Sequence, residues 1–125
     1  KPDILVDLGE KLIYCAGAIA QAYAEACGTS LYFVKPHSPI YQLAYARLAA
    51  TAGRRIDRDR ILCIGDGINT DIRGGVAEDL DTLFITGGLA ATEISDSDGK
   101  PNAEELEKFV ATHKLTPTFS ITHLR

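Results

Sequence analysis

Hydrophobic and polar residues alternate with changing spacing along the chain, and each change of spacing predicts a new structural element. Short apolar runs rich in β-branched residues predict strands, whereas apolar residues that recur every three or four positions predict helices. The predicted strands are residues 3–7, 11–14, 30–34, 61–64, 82–86 and 118–122. The predicted helices are residues 16–27, 38–52, 70–78 and 102–113. Because strands and helices alternate, the pattern favours an α/β fold with a mostly parallel sheet.

Local signals indicate where several helices begin and how one strand is surrounded. Ser38 and Pro39 favour a helix start, because the serine hydroxyl can cap free amides and proline loses no hydrogen bond there. Asn102 and Glu105 have the spacing of a capping box. The run 61–64 is apolar throughout, which is typical of a parallel strand covered by helices on both faces. The predicted core stripe of helix 38–52 consists of Ile40, Leu43, Ala44, Leu48 and Ala52.

Composition and charge are those of one ordinary soluble domain, with 125 residues of which 46% are hydrophobic. The net charge is −4 and basic residues form no run, which argues against binding to nucleic acid or to an anionic membrane. No apolar run approaches the roughly 20 residues of a membrane span, and no basic and apolar leader opens the sequence. Cys15, Cys27 and Cys63 lack close pairwise spacing and are predicted to be buried thiols of a cytoplasmic protein.

Lys35 stands between predicted strand 30–34 and predicted helix 38–52, where parallel α/β sheets place their ligands. An ammonium group beside the free amides of a helix N-terminus suits a phosphate-binding site. His37 belongs to the same loop and is a candidate ligand contact. A surface lysine in a proline-rich turn explains the same residues without any function, and the spacing alone does not decide between the two interpretations.

Asp66 follows the apolar run 61–64 and lies between two glycines, which allow the backbone to approach a ligand closely. Asp71 falls in the first turn of the next predicted helix. Two carboxylates at the end of one strand suit a hard cation such as Mg²⁺. Alternatively, Asp71 only complements the helix dipole and Asp66 is an ordinary turn residue. A dinucleotide-binding motif is excluded because Thr70 occupies its third glycine position.

A second acidic segment, residues 96–99 (DSDG), resembles a catalytic D-x-D-G motif or the start of a calcium loop. No apolar strand leads into Asp96, and Pro101 occupies the position at which the calcium loop requires glycine. This segment is therefore predicted to be a solvated turn before the last helix.

Together, the lysine and aspartate loops resemble two motifs of the haloacid dehalogenase (HAD) superfamily, in particular its NagD-like subclass IIA. Residues 35–41 (KPHSPIY) match the third family motif, K-P-x-x-x-[IMF]-[YF], and residues 65–72 (GDGINTDI) match the fourth, G-D-x-x-x-T-D-I. The resemblance extends over about residues 35–125, although Val34 replaces a glycine found in many relatives. It implies a Rossmannoid parallel sheet with helices on both faces, built by residues 35–125. Residues 1–34 would be the end of an inserted α/β cap domain.

The same resemblance implies a Mg²⁺-dependent phosphohydrolase that acts on small phosphorylated metabolites through an aspartyl-phosphate. Lys35 would neutralise the phosphate, and Asp66 would hold Mg²⁺. Asp71 would ligate the metal directly or orient one of its ligands, and Asn69 would bond near the metal or the substrate.

The nucleophile motif of the family, an apolar strand followed by D-x-D-G-[TV], does not occur in the sequence, and neither does the second motif with its Ser or Thr. The chain also has no Met, so we expect it to be the C-terminal part of a longer enzyme, inactive without the missing N-terminal segment. An exposed sheet edge would then favour pairing with that segment or with a second copy. The alternatives are a non-catalytic phosphate- or nucleotide-binding module and a purely structural half of a larger protein.

Overall fold

The structure is a computed structural model that describes residues 5–8, 11–96 and 100–124. It begins with an antiparallel hairpin of β1 (Leu5–Leu8) and β2 (Lys11–Tyr14), followed by helix α1 (Ala16–Glu25). Residues 9 and 10, which separate the first two predicted strands, and residues 97–99 of the DSDG segment lie outside the described residues.

The predicted α/β fold with a parallel sheet is confirmed. The later elements are α2 (Ser38–Ala52), β3 (Leu62–Gly65), α3 (Arg73–Ala77), β4 (Asp81–Ile85), α4 (Ala91–Ile94), α5 (Ala103–His113) and β5 (Phe119–Ile121). Strands β3, β4 and β5 form a parallel sheet in that order, with Leu83 of β4 paired to Ile64 on one side and Phe119 on the other. A short 3₁₀ helix (Arg58–Arg60) precedes β3, and a π-helical turn (Ile68–Ile72) follows it.

The strand order explains why the described helices of this part of the chain pack on one face of the sheet. The chain steps from β3 to β4 to β5 in one direction, and right-handed crossovers then place every connecting helix on the same side. Phe84 of β4 is fully buried there and stacks on Phe109 of α5. The core of this face consists of Ile68, Ile72, Phe84, Ala90, Ile94, Phe109 and Leu115.

The opposite face of the sheet is largely exposed within the described residues. Leu62 and Ile64 of β3 are 44% and 49% exposed, and Phe119 of β5 is 57% exposed. The expectation that the apolar run 61–64 is covered on both faces is therefore not met by the part of the chain described. An apolar run predicts that both faces of a strand are buried in the complete sheet, but it does not identify the segment that packs on each face.

Residues 30–34, predicted as a strand, are irregular. The composition is correct for a strand, but a strand also needs a neighbour to accept its backbone hydrogen bonds, and no described strand lies alongside. Leu31 and Phe33 are 78% and 64% exposed.

Helix α2 ends as predicted, because Gly53 adopts the left-handed conformation with φ of 67° that favours glycine. Its start and its buried face differ from the prediction. His37 is the N-cap residue and Ser38 is already helical, without a side-chain cap bond. Leu43 and Leu48 of the predicted core stripe are exposed, whereas Tyr41 is the buried residue of the helix.

Asn102 caps α5 as predicted, and its Oδ1 accepts from the backbone N–H groups of Glu104 and Glu105 at 2.9 and 3.2 Å. The reciprocal half of the capping box is not formed, because the Glu105 carboxylate bonds to Lys108 and the Asn102 N–H donates to the carbonyl of Ile94. None of the described helices is both long enough and apolar enough to cross a membrane.

Candidate active site

Asp66 is positioned by two adjacent strands of the parallel sheet. It directly follows β3, and the loop after β4 comes alongside because the carboxyl ends of parallel neighbours meet at one edge of the sheet. In that loop the Leu89 N–H donates to Asp66 Oδ2 at 3.2 Å. Gly88 packs against the same side chain so closely that a Cβ there would lie 2.5 Å from the Asp66 Cβ. The Asp66 carboxylate is therefore held between its own loop and the loop after β4.

Asp71 is positioned by the π-helical turn that replaces the first part of predicted helix 70–78. The Gly67 carbonyl accepts from the N–H groups of Thr70, Asp71 and Ile72 at 3.2, 2.8 and 3.2 Å. The Gly67 N–H in turn donates to Asp71 Oδ2 at 3.1 Å. The turn thus bends the Asp71 side chain back toward the end of β3, where a Cβ on Gly65 would lie 2.5 Å from Oδ2.

Lys35 reaches this edge of the sheet from a distant part of the sequence. Its Nζ bonds to Asp71 Oδ1, the carboxylate oxygen that Gly67 does not use. The Lys35 side chain is 54% exposed while that of Asp71 is 12% exposed. The ammonium group is therefore fixed on one side by a sheltered carboxylate and faces solvent on the other.

The structure brings Lys35, Asp66 and Asp71 to the same edge of the sheet. The other two candidates, Asn69 and His37, contact side chains outside this group. Asn69 lies on the exposed side of the π-helical turn, where its Oδ1 accepts from Arg73 at 2.9 Å. The ring of His37 stacks on Tyr32, with centroids 5.0 Å apart.

A cleft of about 240 Å³ lies beside Asp66 and Asn69. Its other walls include Leu89 of the loop after β4, Glu93 of α4, and Phe109 and His113 of the C-terminal half of α5. It offers both carboxylate and apolar surface next to Asp66.

The oxygen donors at this edge fit a hard cation, although they form only part of a site. One of the Asp66 oxygens is turned to Leu89, whereas both Asp71 oxygens have partners within the chain. Across the described ranges, no three His, Cys, Asp or Glu side chains are grouped as a metal cage. Mg²⁺ is commonly held by one or two carboxylates and otherwise by water and substrate phosphate, so a single well-placed Asp66 is compatible with it.

The sequence pattern did not identify the residues that support the Asp66 carboxylate. Gly88 and Leu89 hold Asp66, and their signal was the glycine pair at the end of β4, whose loop must lie beside that of β3 in a parallel sheet. All three cysteines are free, but the prediction that they are buried is wrong: Cys15 and Cys63 are half-buried and Cys27 is exposed. Burial, followed by the charges of Asp71 and Glu78, raises the pKa of the Cys63 thiol beneath the site.

Comparisons with known proteins give this arrangement its family. The HAD-hydrolase-like family profile matches residues 32–113. A haloacid dehalogenase-like hydrolase from Brucella suis is 36% identical with a TM-score of 0.70, over 99% of this chain and 42% of that chain. A p-nitrophenyl phosphatase from Archaeoglobus fulgidus is 21% identical with a TM-score of 0.65, over 96% of this chain and 40% of its own. A thermostable NPPase double mutant from Geobacillus stearothermophilus is 19% identical with a TM-score of 0.67, over 100% and 42%.

The chain belongs to the HAD-hydrolase-like family, because the family profile spans more than half of its residues. The family that the Lys35 and Asp66 motifs indicate is thereby confirmed. The chain spans about two fifths of the length of the solved structures it matches. No curated protein matches it.

Proposed function

We propose that this chain supplies the phosphate-binding lysine and the metal-binding carboxylate of a phosphohydrolase that acts on small phosphorylated metabolites. The observation that carries the proposal is the contact between Lys35 and Asp71 at the edge of the sheet where Asp66 also stands. Membership of a hydrolase family supports the reaction type. Residues 35–125 would belong to the catalytic core and residues 1–34 to the end of a cap. The free thiols support a reducing compartment such as the cytoplasm.

Lys35 would neutralise the charge on the phosphoryl group in the ground state and in the transition state. Asp71 would keep the ammonium in place, because its second oxygen is anchored by the Gly67 N–H. Since both of its oxygens are engaged, we assign Asp71 to Lys35 in preference to direct metal ligation. Asn69 and His37 would contact the substrate, and the position of Asn69 beside the cleft favours it over His37.

Asp66 would be the metal ligand that this chain provides. Bound Mg²⁺ would shield the negative charge of the phosphoryl oxygens. The carboxylate is held in advance by the Leu89 N–H and packed by Gly88, so little reorganisation is needed when a cation binds.

The attacking carboxylate would come from outside residues 1–125, either from a further segment or from another chain. Within these residues the D-x-D-G pattern occurs only at 96–99, and Asp96 accepts from the Lys100 N–H at 2.9 Å in a turn before α5. In the family mechanism the attacking aspartate of the nucleophile motif forms the aspartyl-phosphate, which water then hydrolyses.

The full-length gene product tests the proposal with p-nitrophenyl phosphate and a panel of phosphorylated metabolites. We expect hydrolysis that needs Mg²⁺ and disappears with EDTA. Asp66→Asn should abolish it while the protein folds normally, whereas Asp59→Asn, at an exposed carboxylate of the 3₁₀ helix, should leave it unchanged. Wild-type turnover by Asp66→Asn at limiting Mg²⁺ would rule out the assignment.

A phosphate-binding module without turnover is the second candidate, and the missing nucleophile pattern in these residues favours it. It predicts that the full-length gene product binds inorganic phosphate or a nucleotide through Lys35 but hydrolyses no phosphomonoester. Calorimetry beside the hydrolysis assay separates the two functions.

A further inference from the structure

The alignment of Lys35 with Asp71 depends on how helix α2 is seated. Lys35 is more than half exposed, so burial of its own side chain does not hold it. It lies three residues before α2, whose described apolar side chains are mostly exposed. Whatever fixes α2 against the rest of the fold therefore also fixes the origin of the lysine side chain.

Tyr41 makes the contact that seats α2. It is 8% exposed and is the buried residue of that helix. Its ring lies against Gly74 of α3, where a Cβ would be 2.8 and 2.9 Å from the ring atoms Cζ and Cε2. Such distances leave no room for any side chain at position 74, so the Tyr41 ring packs directly on the Gly74 backbone.

The next position, Gly75, has a different role. A Cβ there would lie 2.6 Å from Thr82 Cγ2 and 3.1 Å from Cys63 Cβ, both in the sheet. Gly75 therefore lets α3 approach the sheet, whereas Gly74 lets α2 approach α3. The two glycines together stack α2 on α3 and α3 on strands β3 and β4, the first of which leads into Asp66.

A second contact fastens α2 one turn further on. Tyr45 donates to the buried Glu78 carboxylate at 3.2 Å, and Arg58 lies over the Tyr45 ring and donates to the Glu78 carbonyl at 2.8 Å. This contact restrains the middle of α2, but it is farther along the helix from Lys35 than Tyr41 is. Tyr41 is therefore the fixed point closest to the lysine.

We propose that Tyr41, seated on Gly74, is a positioning residue that holds Lys35 in register with Asp71. Gly74 follows Asp71 by three residues and Tyr41 follows Lys35 by six, so this contact joins the two segments that carry the ion pair. The inference rests on the proposed function only in giving Lys35 a phosphate to bind. The contact itself is a property of the fold.

The first test measures the position of Lys35 without any activity. The full-length gene product is treated with limiting acetic anhydride, and acetylation of Lys35 is compared by mass spectrometry with that of the exposed Lys100 and Lys108. Asp71→Asn should raise Lys35 acetylation several-fold, because the ammonium loses its partner. Gly74→Ala should raise it toward the same level, and Val76→Ala, an exposed change on the same helix, should not.

Tyr41→Leu removes the ring while leaving Gly74 unchanged, so it provides the test if Gly74→Ala does not fold. It should raise the acetylation of Lys35 to the same extent. The double variant Gly74→Ala with Tyr41→Leu, in which the new methyl group has room, should fold and should not exceed Tyr41→Leu alone. Unchanged Lys35 acetylation in folded Gly74→Ala or Tyr41→Leu would overturn the proposal.

The second test uses kcat. Gly74→Ala should lower kcat by about 10- to 100-fold, the scale expected when a reacting group is displaced by about 1 Å. In a Lys35→Ala background the same change should cost little, since the group being positioned is already absent. An equal loss in both backgrounds would show a merely structural effect and would contradict the inference. A gene product without phosphatase activity would refute the proposed function, and the acetylation result would still decide this one.

Discussion

The Asp71 carboxylate of the π-helical turn fixes the position of the Lys35 ammonium group. Its Oδ2 accepts from the Gly67 N–H, and its Oδ1 bonds to the Lys35 ammonium, which lies 36 residues earlier in the sequence. A lysine side chain loses several rotamers when it is fixed, and the ion pair meets that cost before any ligand arrives. The exposed side of the ammonium is then available to an anion.

Replacement of Lys35 tests this arrangement in the full-length gene product. Lys35→Ala should cost about 2–4 kcal/mol of transition-state stabilisation in kcat/KM, the scale of one preorganised electrostatic group. Lys35→Arg should not restore the rate, because a forked guanidinium does not place its charge where a compact ammonium does. Lys100→Ala is the matched control. If Lys35→Ala lowered only the melting temperature, Lys35 would be a turn residue and nothing more.

Tyr41 gives a pH dependence with a definite sign. Burial, and then the nearby negative charges of Cys63, Asp71 and Glu78, raise its pKa from 10.0 to about 12. Below pH 10 the phenol is neutral in both states and its contribution to stability is fully present. Between pH 10 and 12 the unfolded chain releases the proton first, so the free energy of unfolding falls by up to about 1.4 kcal/mol per pH unit.

Urea unfolding of the wild type and of Tyr41→Phe at pH 9, 10.5 and 11.5 measures this contribution. The other tyrosines titrate in both proteins, so the difference between the two slopes belongs to Tyr41. The wild type should lose stability more steeply above pH 10. Parallel slopes would mean that Tyr41 ionises as readily in the folded protein as in the unfolded one.

At the scale of elements, local patterns predicted whatever depends on neighbours in sequence. The parallel strands, the end of α2 at Gly53 and the Asn102 cap follow from short runs and single residues. The strand prediction for residues 30–34 was wrong, because a strand also needs a neighbouring strand and no local pattern contains that information. The π-helical turn was not predicted, because it arises from three N–H groups that converge on the Gly67 carbonyl. The apolar spacing of a helix does not encode that geometry.

The candidate site was predictable to a similar extent. The two sequence motifs contain Lys35, Asp66 and Asp71, and the order of a parallel sheet brings the ends of its strands together. The supporting contacts of Gly88 with Asp66 and of Gly74 with Tyr41 join segments that are remote in sequence. Glycine leaves no hydrophobic or charged signature, so its partner is visible only in three dimensions.

The N-cap of α5 allows an element-scale prediction. Asn102→Ala should lower the free energy of unfolding by about 1 kcal/mol, since it removes the acceptor for two backbone N–H groups. Asn102→Asp keeps an acceptor oxygen and should remain close to the wild type. Urea denaturation measures both. A loss as large for the aspartate as for the alanine would contradict a capping role.

For the whole molecule, the decisive feature is the difference between the two faces of the sheet. One face carries the core around Phe84, and the other presents Leu62, Ile64, Phe119 and Ile121 to solvent within the described residues. Strand β3 pairs with β4 alone among the described strands, so one of its edges can accept a further strand. The apolar face and the open edge meet at β3, the strand that also leads into Asp66.

This asymmetry predicts how residues 1–125 behave when they are purified alone. They should self-associate in light scattering and bind a hydrophobic dye, because an apolar sheet face next to an open edge is the surface most prone to pairing. Ile64→Lys combined with Phe119→Lys should weaken both effects, since charges would then stand on both sides of Leu83 across the face. The preparation should not hydrolyse p-nitrophenyl phosphate with Mg²⁺, because in the proposed function the attacking carboxylate comes from outside these residues. Robust turnover that Asp96→Asn abolished would show instead that the DSDG turn supplies the nucleophile and that the chain is a complete catalyst.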